Sequence, residues 1–407
     1  MSFIKLKKIA SLQKLLKNKN FYIVLLFIFF LYPIKYSFGV DANNSPDHTY
    51  INYTFLLYIL YKLNHDKKIY TSDDFIIFSL LFYTFILIFS IFYEQINNIR
   101  YDNLRRIISY IIFISFFLFA FLKIEEKEIE NLKISIVLFS LILIFNKIII
   151  ILMMENSISN WQKYNWKHYI GSQRLGFIYI ISFWIVFIDN KKLKKLLNHL
   201  NIKDNNNLIR NFLLLLILFG IYFTISRSTY LAFLITIIIF MSLNYNYYAK
   251  LLFFSAAVCL FLIWIFYFMK NGLDIIGLFI ELNLDTNSSL GYRIYIWEKI
   301  IISVFKNPLF GSGYLGVSIM EGGSGSAHSQ YFDILYRVGI IGFILYFFTI
   351  YKILKFYKKK DLSIFLGLIS FLIIGIFHET IKLSHGSCIV GFLLGYMVTF
   401  NRSLIKK

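Results

Sequence analysis

The chain has only two cysteines in 407 residues. Cys259 and Cys388 each fall inside an apolar run, so neither a disulfide framework nor a thiolate metal site is indicated. Acidic residues are also scarce, 22 Asp and Glu against 42 Lys and Arg, for a net charge of +20. In a soluble protein that balance points to nucleic acid. Here the lysines concentrate in short loops and tails, which reads as membrane topology and contact with anionic lipid, and no nucleic-acid partner is expected. No small-residue cleavage site follows the apolar run that begins at Phe21, so residues 1–20 read as a basic cytoplasmic tail before an uncleaved first span. There is no internal repeat.

What the chain does have is apolar mass. Hydrophobic residues make up 58% and aromatics 20%, with Phe, Ile, Leu and Tyr spread along the whole length. That excludes a soluble domain and gives an all-α integral membrane protein, a single polytopic domain over residues 21–407. A span needs about 20 mostly apolar residues. Candidate runs centre on Phe21–Phe38, Tyr50–Leu63, Phe75–Tyr93, Ile107–Ile124, Ile134–Met154, Ile170–Ile188, Asn211–Ile225, Thr229–Leu243, Leu251–Phe268, Ser329–Tyr351, Leu362–Phe377 and Cys388–Phe400, about twelve transmembrane helices. The second and last are short enough to tilt or lie shallow.

Basic loops set the orientation. The N-terminal tail, the stretch from Lys191 to Arg210, the stretch from Lys355 to Lys360 and the C-terminal Lys406–Lys407 fall on one side, which the positive-inside rule makes cytoplasmic. Two loops run against the rule: Arg100, Arg105 and Arg106 fall outside, and the acidic stretch Glu125 to Glu130 inside. The extracytoplasmic face then carries Ser226–Arg227–Ser228, a long loop over residues 270–327, and the stretch from His378 to Ser387. Within the loop, Tyr292 to Phe305 reads as an interfacial helix ended by Asn307-Pro308 and the glycines Gly311 and Gly313.

Three stretches on that face carry polar chemistry. His328 stands where a Gly- and Ser-rich strip meets an apolar helix, near a water–bilayer boundary. An imidazole with an ordinary pKa of about 6.5 exchanges protons there near neutral pH. Gly339 and Gly342, three apart, are expected on one helical face that lets another backbone or a ligand approach. On this stretch alone, an interfacial histidine beside a packing face and a reaction centre are both open. Arg293, Trp297, Ile300 and Val304 share one face of the loop helix, and Lys299, Ser303 and Lys306 lie elsewhere around it. Arg293 reads either as a snorkelling side chain or as an anion site turned toward the bundle. Arg227 reads as a headgroup anchor or, with Ser226, Ser228 and Thr229 as added donors and Ser228–Thr229 capping the next helix, as a second anion site. Two planar guanidinium groups and a helix N-terminus suit a diphosphate better than a carboxylate. With no Asp-x-Asp motif and no His–carboxylate cluster on that face, no metal and no cofactor is expected. Asp333 pairs with Arg337 at i+4, His378–Glu379 is a reserve candidate, and Glu298 is expected to be solvated.

The order SRS at Ser226–Ser228, R-x-x-x-W with a following N-P-L-x-G-x-G from Arg293 to Gly313, and H-S-x9-G-x-x-G from His328 to Gly342 resembles the bacterial O-antigen ligase and polymerase superfamily. The resemblance covers residues 212–351, about a third of the chain. It implies a GT-C-like membrane glycosyltransferase in the bacterial inner membrane, with both termini cytoplasmic and a periplasmic active site. Such an enzyme joins undecaprenyl-diphosphate-linked glycan to an acceptor sugar without metal or nucleotide sugar. The family's histidine carries over onto His328 as the catalytic group, its arginines onto Arg227 and Arg293 as diphosphate ligands, and Ser226, Ser228, Gly339 and Gly342 are supporting residues. Expected partners are the lipid-linked glycan, membrane lipids and a chain-length regulator. Only 34 residues separate Arg293 from His328, a compact loop for a ligase that must engage a bulky lipid A–core acceptor. The richness in Ile, Phe, Lys and Asn also suits the AT-rich clusters in which polymerases are often encoded, so a surface-polysaccharide polymerase is preferred to an O-antigen ligase. A flippase or exporter of the same lipid-linked sugars is the rival from another class, kept open by Gln173 and Arg174 in the sixth span.

Overall fold

The computed structural model describes residues 76, 79–86, 110, 113–114, 117, 126–153, 176–188, 206–224, 226–244, 289–313, 327–380 and 384–405. The expected tail 1–20, the runs Phe21–Phe38, Tyr50–Leu63 and Leu251–Phe268, and Gln173, Arg174 and Cys259 lie outside them. The runs Phe75–Tyr93 and Ile107–Ile124 are described in part. Every regular element among the described residues is helical. In chain order these are α1 (Glu126–Met153), α2 (Gly176–Ile188), α3 (Asn206–Tyr222), α4 (Arg227–Asn244), α5 (Ser289–Lys306), α6 (Gln330–Lys360), α7 (Leu362–Phe377) and α8 (Ser384–Ile405). Two of them, α4 and α6, are both long and apolar enough to cross a membrane.

The chain divides into two compact units. The first comprises Met1–Phe55, Leu122–Tyr230 and Asp361–Gly367. Its centre is α2, GFIYIISFWIVFI, apolar around its whole circumference and therefore buried on nearly every side. Phe177, Tyr179 and Trp184 are fully enclosed, with α1 and α3 packed against α2 and against each other. Small residues permit the close approach: a Cβ on Gly220 of α3 would meet the Ile144 side chain at 2.9 Å, and Gly176 of α2 receives Thr229. Ser182 donates to the carbonyl of Ile136 at 3.2 Å and ties α2 to α1. At one end of this unit, buried Lys133 of α1 pairs with Asp361, and its ammonium lies 3.9 Å from Glu130. Asp361 stands directly before α7, so this pair ties the start of α7 to the start of α1.

The second unit comprises Leu56–Phe121, Leu231–Lys360 and Leu368–Lys407. Here α5 packs on α6, and α6 packs on α8. The face of α5 named from its spacing is the buried one: Ile296, Ile300 and Val304 form a core cluster with Ala327 and Tyr336. Glu298, Lys299 and Lys306 are exposed on other sides. Tyr357 of α6 donates to the carbonyl of Leu393 in α8 at 3.0 Å, and the helical stretch at residues 79–86 packs Ile86 and Phe82 against Val338.

Helix α6 is not continuous, and this corrects the expectation for its glycines. Gly339 has φ 64° and ψ −168°, so α6 is two helices joined at a break, and Gly339 and Gly342 do not share one helical face. The break removes the two bonds that Ile340 and Ile341 would otherwise give to Tyr336 and Arg337. The turn after α5 answers all four freed groups. Ser312 N–H donates to Tyr336 O at 2.7 Å and Gly313 N–H to Arg337 O at 2.9 Å, while Ile340 and Ile341 donate to the carbonyls of Pro308 and Leu309 at 2.8 and 3.3 Å. Non-helical backbone in a membrane helix is tolerated where protein satisfies it in this way. The N-P-L-x-G-x-G stretch and the G-x-x-G stretch are therefore two halves of one joint. Gly311 and Gly313 supply its other left-handed positions, at φ 74° and 75°.

Candidate functional site

In the second unit the site grows from the end of the loop before α6. His328 is the residue with φ in the left-handed region, 51°, among the described residues other than glycine. For a side chain with a Cβ that backbone costs about 1–3 kcal/mol and persists only where surrounding contacts enforce it. The contacts are present. Fully buried Ala327 donates its N–H to Oε1 of Glu379 at 2.5 Å and accepts from Nε1 of Trp297 at 2.8 Å. On the other side, Gln330 bonds the hydroxyl of Tyr346 and accepts from Thr380 Oγ1. The loop is thus gripped by α5, by α6 itself and by the segment after α7. The imidazole of His328 meets the ring of Tyr292 edge to face, with centroids 6.0 Å apart and planes at 71°.

Arg293 follows Tyr292 in the sequence and lies on the same face of α5 as Trp297 and Ile300. It is half-buried, and that burial pulls its guanidinium below the usual arginine range. No hydrogen bond or ion pair joins it to another described residue. A partly desolvated cation in that position favours an incoming anion, because leaving it unpaired is costly. Trp297 stacks on Phe332 with centroids 4.8 Å apart and planes at 15°, which locks the α5 face that carries Arg293 onto the α6 face that follows His328.

Arg227 belongs to the first unit. It is exposed at the first residue of α4, where a helix N-terminus favours negative charge. The hydroxyls around it are engaged otherwise than the sequence reading expected. Ser226, and not Ser228–Thr229, caps α4: its Oγ accepts from Thr229 N–H at 3.4 Å and its carbonyl from Tyr230 N–H at 3.1 Å. Ser226 and Ser228 bond each other at 2.9 Å, and both are buried, as is Thr229 against Gly176. A capping residue turns its side chain back onto the helix end, which draws the Ser226 hydroxyl inward, and Ser228 is drawn in with it by their mutual bond.

Asp333 and Arg337 form the expected i+4 pair, with Nε to Oδ2 at 2.8 Å and Nη2 to Oδ1 at 2.9 Å. This bidentate pair engages both carboxylate oxygens of Asp333. The residue whose part the sequence concealed is Glu379. Its position beside His378 at the end of a span marked it only as a reserve candidate, and the hydrogen bond to Ala327, 52 positions earlier, is a tertiary contact without a local signature.

Residues 212–347 match the family described as O-antigen ligase, a span that takes in Ser226, Arg227, Ser228, Arg293, His328, Gly339 and Gly342. No curated protein matches the chain. Through this region, in which the histidine loop, the arginine helix and the glycine joint all lie, about a third of the chain is similar to the O-antigen ligase family.

Proposed function

We propose that the protein is a membrane glycosyltransferase that joins undecaprenyl-diphosphate-linked glycan repeat units on the periplasmic face, acting as a surface-polysaccharide polymerase. The observation that carries this reading is the pairing within one unit of a half-buried arginine lacking a counter-ion among the described residues with a histidine held in a strained backbone conformation, Arg293 and His328. Glycosyl transfer from a diphosphate has two needs that these groups meet. The acceptor hydroxyl gives its proton to the His328 imidazole as its oxygen bonds the anomeric carbon. The anomeric carbon–oxygen bond to the diphosphate breaks, and the electron pair leaves with undecaprenyl diphosphate, whose added charge Arg293 stabilises. Arg227, exposed at the start of α4 in the first unit, is a further diphosphate-binding candidate in this reading.

The short connection between Arg293 and His328 favours a polymerase over a ligase, since a lipid A–core acceptor needs more room above the membrane. The topology that goes with it has about twelve spans, cytoplasmic termini and the site outside. The Lys133–Asp361 pair supports that arrangement by joining two segments assigned to the cytoplasmic side. A chain-length regulator is the expected protein partner. The test is purified protein in detergent given undecaprenyl-diphosphate glycan, with and without lipid A–core, and products resolved on a gel. A ladder from the lipid-linked glycan alone is expected. Product that forms only with lipid A–core would replace polymerase by ligase, and no product in either tube would remove the reading.

A further inference from the structure

We infer that Trp297 and Glu379 are positioning residues that set His328 by gripping the two polar groups of Ala327, a role that rests on the catalytic reading of His328. The carbonyl of Ala327 shares a peptide plane with the nitrogen of His328, and the orientation of that plane defines the φ of His328. The 2.8 Å bond from Trp297 Nε1 fixes this plane. The 2.5 Å bond from Ala327 N–H to Glu379 Oε1 fixes the plane before it. Relaxing the φ of 51° toward the usual negative range would rotate the Ala327 carbonyl off the indole and leave it buried without that donor. The strained conformation and the two bonds therefore stand or fall together.

The geometry also explains why two distant elements supply the grip. Trp297 lies four residues after Arg293 on the same face of α5, so the indole that holds the histidine loop also sets the distance from that guanidinium to the imidazole. Tyr292, on the other side of Arg293, meets the imidazole ring itself. Glu379 approaches from beyond the end of α7, and the next residue, Thr380, bonds Gln330, two positions after His328. The histidine is bracketed on both sides by one short segment after α7. Glu379 acts here as an acceptor toward a backbone N–H, and an amide oxygen at the same place would serve equally.

The experiment compares Trp297→Phe, Glu379→Ala and Glu379→Gln in the chain-growth assay, each also combined with His328→Ala. Trp297→Phe keeps a ring to stack on Phe332 and loses only the donor. Trp297→Phe and Glu379→Ala should each lower kcat by about 10- to 100-fold, the scale of a small misplacement of a reacting group, with KM for the lipid-linked donor unchanged. Glu379→Gln should keep near wild-type kcat, and in the His328→Ala background none of the three should lower the residual rate further. Labelling of His328 by diethyl pyrocarbonate, read by mass spectrometry, reports the imidazole without turnover. Its rate should change in Trp297→Phe and Glu379→Ala and stay unchanged in Glu379→Gln. Unchanged labelling in the first two, or Glu379→Gln as impaired as Glu379→Ala, would overturn the grip. Altered labelling together with wild-type turnover in His328→Ala would instead overturn the catalytic reading and leave the grip standing.

Discussion

Gly339 stands directly on the backbone of Leu309: a Cβ built on Gly339 would fall onto the Leu309 carbonyl and within 2.6 Å of Gly311 N. Two unfavourable terms add at this position. The φ of 64° strains any residue with a Cβ, and the group it would strike is backbone that cannot swing away. We predict that Gly339→Ala lowers the yield of folded protein and destabilises it by more than about 1–3 kcal/mol. Gly342→Ala, whose Cβ meets the side chains of Val338 and Phe82, should be milder. Thermal unfolding in detergent measures both. Equal melting temperatures for wild type and Gly339→Ala would mean the joint is not rigid.

Lys133 and Asp361 permit a second prediction. The pair is nearly enclosed, at 3% and 11% side-chain exposure, and Asp361 also caps α7 through Ser363 Oγ at 2.6 Å and Ile364 N–H at 3.2 Å. Breaking a buried pair from one side costs about 3–5 kcal/mol, because the remaining charge is left uncompensated. Asp361→Asn keeps the capping oxygen and takes the close carboxylate from the buried lysine, leaving Glu130 at 3.9 Å, so it should be the more damaging single change. Lys133→Met leaves a carboxylate at a helix N-terminus, where it is tolerated. Lys133→Met combined with Asp361→Asn should recover part of the loss in a thermal melt; a double variant worse than the sum of the singles would contradict a direct pair.

These cases mark how far the sequence reaches. The length and period of apolar runs located α5 to within a few residues and α7 over Leu362–Phe377 as found, because burial and hydropathy are local properties. The buried face of α5 and the Asp333–Arg337 pair follow from helical spacing in the same way. The break at Gly339 does not, since G-x-x-G in an apolar run is the pattern of a packing face as well as of an interruption. Only the turn at residues 308–313, brought in by the packing of α5 on α6, decides between them. For the same reason Ser226 and Ser228 looked available to a phosphate, whereas Ser226 caps α4 and bonds Ser228, and both are buried.

Arg293 gives the third prediction. Lysine at this place keeps the charge and loses the planar fork that grips a diphosphate with two parallel bonds, so Arg293→Lys should be nearly as damaging to chain growth as Arg293→Ala. Arg227 is exposed at the N-terminus of α4, whose own dipole assists an anion, and Arg227→Lys should keep more activity than Arg293→Lys. Gel length distributions from the four variants give the ordering. Full activity in Arg293→Lys would identify a snorkelling side chain, and wild-type product from all four would remove the anion sites.

The last prediction concerns His328. Its imidazole is partly exposed, its backbone is strained, and the side chain is held by Tyr292 at an edge-to-face angle, an arrangement that spends stability on the placement of one ring. If that ring takes the acceptor proton, His328→Ala should lower turnover by about 10²- to 10⁴-fold. Donor binding should persist, because the diphosphate is held by arginine and the fold around Ala327 keeps both of its hydrogen bonds. His328→Asn separates strain from chemistry: asparagine tolerates a left-handed backbone, so this variant should be as stable as wild type or more so, and still inactive. Donor binding and chain growth measured on one preparation decide the matter. Binding retained with growth lost supports proton transfer at His328. Loss of binding, growth and melting temperature together would make the residue structural, and a His328→Asn variant that still builds polymer would end its part in the chemistry.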